Sequence, residues 1–239
     1  GRYRFPRPVR ERLGGELAAA AGTELPGLHR AAGECSARRG DLDAAFEHFR
    51  LAGEDRDLEK ALALFSLPDG KSMPALLDEK TLNLVQSFPW RIRLKQPLGY
   101  LAFLWQCLAA GMDSAVVGRM LDDIEARFSR LKGVSQSLRR RLRGEAELLR
   151  GRLLFNDLDA LWDAWERARE LLDGPSLLLS PARSWGGGSP HLSFLCLRPG
   201  GSFSRLVKRA PDAEKTALAL TGGRYGAEAA VLEAEYRLE

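Results

Sequence analysis

The sequence predicts an all-α fold, helix hairpins stacked as an α-solenoid. Three observations lead to it. From about residue 16 onward, apolar residues recur with the helical period. Turns at Gly40, at Gly111 and at Asn156 with Asp157 divide the helical stretches into pairs. Hairpins follow one another at roughly 30–45 residue spacing, the period of stacked helical repeats.

Taken in order, residues 1–14 stand apart. Tyr3 and Phe5 alternate with Arg4 as in a short strand, Pro6 and Pro8 break it, and a helical pattern begins at 9–13. The stretch is too short to fold alone and reads as the end of an upstream domain. Residues 15–239 read as one helical repeat domain. In its first hairpin, a helix at 28–39 closes at Gly40, and Asp41 can cap the next helix, 42–52, which ends near Gly53. Gly33 is small where the two helices cross. Ala45 and Ala52 lie seven apart on one face, with Phe49 between them to fill the gap. A short helix at 57–65 stops at Pro68 and Gly70, and another at 75–88 lies between Pro74 and Pro89. Then 98–110 pairs with 114–128, and 135–155 pairs with 158–172, where Gly174 and Pro175 stop the chain. Residues 175–190 are rich in Gly, Pro and Ser without a helical period, a long loop that invites a functional role. Helical segments return at 191–197, 203–210 and 212–220. Thr221, Gly222 and Gly223 make a turn, and a final helix at 227–238 ends inside its pattern, as in an array that continues.

The chain has 239 residues, 45% of them hydrophobic and 28% charged, which suffices for a core and argues against disorder. Net charge is +4, and 29 of the 36 basic residues are arginine. These are interleaved with acids. Arg139, Arg140 and Arg141 fan over about 200° of a helix, too wide for a single stripe, and Glu145 and Glu147 follow. Direct nucleic-acid binding is therefore not expected. Cys35, Cys107 and Cys196 are too dispersed for a disulfide framework or a paired-cysteine zinc site. They fit small buried packers in a reducing cytoplasm. His29, His48 and His191 form no HExxH helix; His29 reads as packing and His48 as exposed or half-buried. No GxSxG elbow or phosphate loop of GxxxxGK[ST] type is present, so neither catalysis, nor a bound cofactor, nor ATP hydrolysis is expected. No apolar run approaches the roughly 18 residues that span a bilayer.

The first hairpin resembles the 34-residue tetratricopeptide repeat, with Gly40 as its turn glycine and Gly33, Ala45, Phe49 and Ala52 at its small and aromatic positions. The hairpin around 156 fits through Asn156, Leu158, Trp165 and Ala168. The one around Gly111 is degenerate, with Val116 and Asp123 at alanine positions. The order of segments resembles the central part of LuxR-type, ATP-dependent transcriptional activators related to the maltose-regulon activator. YRFPRPVRERL at 3–13 is similar to the strand and helix that end the family's winged-helix subdomain, with Pro6 where the family has histidine. LHRAAGECSARRGDLDAAFEHFRLAGE at 28–54 and SFPWRIRLKQPLGYLAFLW at 87–105 are similar to the entry into its repeats. GSPHLSFLCLRPGGSFSRLV at 188–207 and LTGGRYGAEAAVLEAEYRLE at 220–239 resemble later stretches.

The resemblance implies a sensor and coupling region. Such a region receives a small-molecule inducer or a partner protein and relays the event to the ATPase and DNA-binding modules of the full-length chain. In tetratricopeptide arrays the first helix of each hairpin lines a concave groove. Carried over, that rule puts Arg30, Glu34 and Arg38, then Trp105, then Arg143 and Arg150 on the groove, where tryptophan would stack and arginines would bind an anionic or sugar-like ligand. Trp185 and His191, beside Gly186–Gly188, are candidates for a ligand site on the loop. Three other readings stay open: a protein-interaction scaffold without a small-molecule site, a nucleic-acid-binding repeat, and an enzyme, for which no constellation is recognisable.

Overall fold

The computed structural model describes residues 22–66, 85–154, 157–179 and 202–223, with scattered single positions outside those spans. The chain is all-α: no strand occurs among the described residues. The expected strand at 3–5, the helix at 191–197, loop residues 180–190 and most of the helices at 75–88 and 227–238 lie outside them.

The first hairpin forms as expected. Helix α1 is Leu25–Arg38 and α2 is Leu42–Ala52. Between them Gly40 takes φ 74°, a left-handed conformation that costs a residue with a Cβ. The Asp41 carboxylate accepts the Ala44 amide at 3.3 Å, which satisfies one of the orphan donors at the start of α2. A Cβ on Gly33 would lie 2.8 Å from the Phe49 ring, so only glycine lets the two helices approach this closely. Ala45, Phe49 and Ala52 are buried. Helix α3, Asp55–Ala63, follows and tightens into a 3-10 turn at Leu64–Ser66.

Helix α4, Trp90–Lys95, is an element that the sequence reading passed over. Pro89 suggested only a break, and Pro97 follows the segment. Each stands at a helix start, where a missing N–H costs nothing. Arg93 holds the segment together. Its guanidinium donates to the carbonyls of Phe88 (2.9 Å) and Gln86, and lies 4.4 Å from the Trp90 ring centre. Helix α5, Pro97–Ala109, is buried along most of its length. A Cβ at Gly99 would lie 2.3 Å from the Leu62 carbonyl oxygen, so α5 meets the end of α3 backbone to backbone.

Helices α6 (Ser114–Ser129), α7 (Gln136–Leu153) and α8 (Leu158–Leu171) complete two further hairpins. Asp113, Ser135 and Asp157 cap them with their side-chain oxygens. Helix α9, Ser202–Thr221, corrects the reading of two segments: it runs unbroken through Pro211. Leu206, Ala210, Ala213, Ala217 and Leu220 recur at alternating four- and three-residue steps and are all buried. That continuous apolar stripe offsets the roughly 3 kcal/mol that an interior proline costs.

Packing follows chain order. Helix α1 lies on α2, α2 on α3, and α3 on α4 and α5. Helix α5 then contacts α6 and α7, α6 contacts α7, α7 contacts α8, and α8 contacts α9. Buried side chains from Leu42 to Leu220 form one contiguous core. Two fully buried carboxylates tie its ends. Asp57 on α3 takes a two-pronged bond from Arg30 on α1, at 2.7 and 2.8 Å. Glu145 on α7 accepts the Ser176 hydroxyl at 2.6 Å and the amides of Leu177 and Leu178 at 2.7 and 3.3 Å.

Candidate functional site

Helices α5, α6 and α7 leave a cleft between them with a volume of about 500 Å³. Its floor is apolar: Pro97 and Leu101 come from α5, Ile124 and Phe128 from α6, and Leu142 from α7. The first two pairs are each spaced i, i+4, which puts both members on one helix face. The rim is polar. Gln136, Arg140 and Arg143 stand along one face of α7, with Ser129 and Glu125 opposite on α6.

The rim charges differ in what already holds them. Arg139 donates to the carbonyls of Phe128 (3.4 Å), Ser129 (3.2 Å) and Leu131, and so closes the α6–α7 loop. Arg140 reaches the Glu170 carbonyl at 3.1 Å and lies 3.9 Å from the Asp173 carboxylate. Glu125 is ion-paired with Arg150. Burial raises the Glu125 carboxyl above its ordinary range, and the Arg150 guanidinium opposes that rise. Arg143 is exposed and has no hydrogen-bond or ion-pair partner among the described residues.

Of the residues that the first-helix rule put on a groove, Arg143 alone lines this cleft. The others that the structure describes lie off this cleft. Arg30 is bound to Asp57 and, at 2.9 Å, to Glu54, which raises its pKa. Glu34 accepts Lys60 at 2.6 Å, and this bond lowers its carboxyl pKa. Arg150 joins Asp122 (3.0 Å) and Glu125 across the α6–α7 contact and Glu147 (3.5 Å) on its own helix. Trp105 is 8% exposed and belongs to the core. Arg38 is exposed, away from the cleft lining. Trp185 and His191 lie outside the described residues. The sequence reading missed the apolar floor. Its signal was present as apolar i, i+4 pairs on α5 and α6, but only tertiary packing brings those faces together with Leu142 of α7.

His48 is half-buried, as expected, and His29 carries one contact beyond the expected packing. His29 is half-buried, and its Nδ1 lies 3.1 Å from Nδ1 of His48, so it is hydrogen-bonded as well as packed. Cys107 is buried, and burial pushes its thiol up to about 12. Among the described residues no group of three or more His, Cys, Asp or Glu could hold a metal ion. None of the described helices is long and apolar enough to cross a membrane. No family model matches the chain, and no curated protein or solved structure is found similar to it.

Proposed function

We propose that the chain is a ligand-sensing helical-repeat domain of a LuxR-type transcriptional regulator, with the cleft between α5, α6 and α7 as its ligand site. The hairpins stack as a tetratricopeptide-like solenoid. A small-molecule inducer fills the cleft, and the domain relays its presence to ATPase and DNA-binding modules of a longer, cytoplasmic chain. The observation that carries the ligand site is the cleft itself: an apolar floor, a few polar groups at the rim, and a volume in the range of small-molecule sites. The regulator reading rests on the order of segments described above, and the helix-on-helix packing in chain order supports a stacked array.

The signal is a population shift. Helix α5 touches α3 on one side and α6 and α7 on the other, so the spacing of three helices sets the width of the cleft. A ligand that fits one spacing better stabilises it and biases the array toward it, by as much as its affinities for the two spacings differ. A thermal-shift screen against organic acids, sugars, sugar phosphates, nucleotides and fatty acids tests this. A ligand at about 100 times its Kd adds roughly 2.7 kcal/mol of stability. The hit should vanish in Ser129→Trp, which fills the cleft from an exposed rim position. A hit that survives that change lies elsewhere. Silence from a cooperatively folding protein would favour a protein-interaction scaffold.

A further inference from the structure

Resting on that reading of the cleft, the charge arrangement narrows the class of ligand: we infer that the cleft binds an amphipathic monoanion, a carboxylate on a medium-length acyl or aryl chain. The chain lies on Leu101, Ile124, Phe128 and Leu142, and the carboxylate pairs with Arg143. Most of the rim charges are already held. Arg139 directs both of its terminal NH2 groups to carbonyls, those of Phe128 and Ser129 at the end of α6 and of Leu131 beyond it, and Arg140 bonds Glu170 and faces Asp173. Glu125 and Arg150 hold each other. That leaves Arg143, which has no partner among the described residues, beside a floor that presents almost no polar surface. One uncommitted cation calls for one anionic group.

The type of anion follows from both sides of the cleft. A guanidinium presents a planar fork of donors that fits a carboxylate through two parallel bonds. A second negative charge on the ligand would find no second uncommitted cation among the described rim residues, beside a lining that includes Glu125. Sugars would have to leave most of their hydroxyls unpaired against the floor, at a cost for each. Together these features disfavour dianionic phosphates, polyacids and sugars, and favour a single charge at the end of an apolar body.

Isothermal titration of the chain with decanoate and with decan-1-ol, both kept below aggregation, tests the inference in wild type and in Arg143→Gln. Position 143 is exposed and has no partner among the described residues, so the variant should keep the wild-type melting temperature. Decanoate should bind saturably, one per chain, and more tightly than decanol. Arg143→Gln should weaken decanoate about tenfold, the loss of one charge-assisted contact, and leave decanol unchanged. Equal binding of the two probes, unaffected at position 143 yet abolished by Ser129→Trp, would overturn the monoanion class and keep the cleft. The monoanion class would fall in the same way if neither probe bound and a ligand of another class bound in a manner lost in Ser129→Trp. Absence of any binding by a folded protein would overturn both.

Discussion

The hairpins α1–α2 and α7–α8 share their turn chemistry but are fastened to the rest of the molecule by different bonds. In each, an aspartate caps the second helix: Asp41 takes the Ala44 amide and Asp157 the Ala160 amide. In each, a glycine sits where the helices cross, Gly33 in the first and Gly151 in the other. Each is also held by a carboxylate with no solvent exposure. Asp57 is held by a side-chain cation, Arg30, which itself keeps 18% exposure. Glu145 is held by the Ser176 hydroxyl and two backbone amides, with Arg141 at 4.0 Å. The Ser176 amide in turn donates to the Leu220 carbonyl of α9. The first tie joins two side chains that mutation can change together. The second binds backbone that no substitution can remove.

That difference predicts unequal outcomes. Glu145→Ala strands the Ser176 hydroxyl and the Leu177 amide, while the Leu178 amide keeps the Ser176 Oγ at 2.9 Å, and should cost about 3–4 kcal/mol in urea unfolding, the largest single effect expected here. No compensating side-chain change should restore it fully. Burial pushes the Glu145 carboxyl above its ordinary range, opposed by its donors and by Arg141, so the group is already under strain between desolvation and bonding. Asp57→Ala should cost less, because Arg30 can turn toward water. The double change Arg30→Met with Asp57→Leu should recover most of that loss, as apolar replacements of buried ion pairs often do. Failure of the double variant to recover, or recovery of Glu145→Ala by Arg141→Met, would erase the distinction.

The same contrast explains how far the sequence could be read. The α1–α2 hairpin was legible down to Gly33, Gly40, Asp41 and Phe49, because local signals decide it: a cap, a left-handed glycine and a small residue at a crossing. The boundaries of α2 match the periodicity residue for residue. Helix α4 was not legible, since a proline read as a stop also reads as a start. Helix α9 was read as two because Pro211 spoke louder than the stripe of five buried residues that carries it through. The cleft was the least legible feature. Arg30, Glu34 and Arg150 look like surface charges in sequence, and only the fold delivers Asp57, Lys60 and Glu125 to them. Among the described residues projected onto the groove, only Arg143 stands on the rim.

The two crossing glycines test a subtler difference. A Cβ at Gly33 would lie 2.8 Å from the Phe49 ring, a rigid group fixed in the core. Gly33→Ala should therefore cost about 1–3 kcal/mol through overpacking. At Gly151 the nearest atoms are the Ala164 Cβ and a terminal methyl of Leu161, both at 3.1 Å, and they need give only slightly. There the gain of about 0.5–1 kcal/mol from replacing a helical glycine roughly offsets the crowding. Gly151→Ala should be close to neutral in the same assay. Equal losses at both positions would mean that helix separation, rather than the neighbouring group, sets the penalty.

The smallest expected effect separates the hairpins by pH. The His29 and His48 ring centres are 5.4 Å apart, which is the 3.1 Å between the Nδ1 atoms plus a ring radius at each end. The two nitrogens therefore point straight at each other, and the gap holds one proton; a second would set N–H against N–H. Burial first, then His48 and Arg50, hold the His29 pKa below its ordinary 6.5, with Glu47 opposing. The unfolded chain then takes up the proton before the folded one does. Stability contributed by neutral His29 is complete above pH 6.5 and is lost as pH falls through the lowered value. The α7–α8 hairpin contains no histidine. Hydrogen exchange compared at about pH 7.5 and about pH 5.5, corrected for intrinsic rates, should show protection lost in α1 and α2 but not in α7, and His48→Gln should flatten the difference. Both rings are only half-buried, so solvent screening keeps the loss small. Equal loss in both hairpins would assign the pH response to carboxylates that they share, and not to the proton held between two rings.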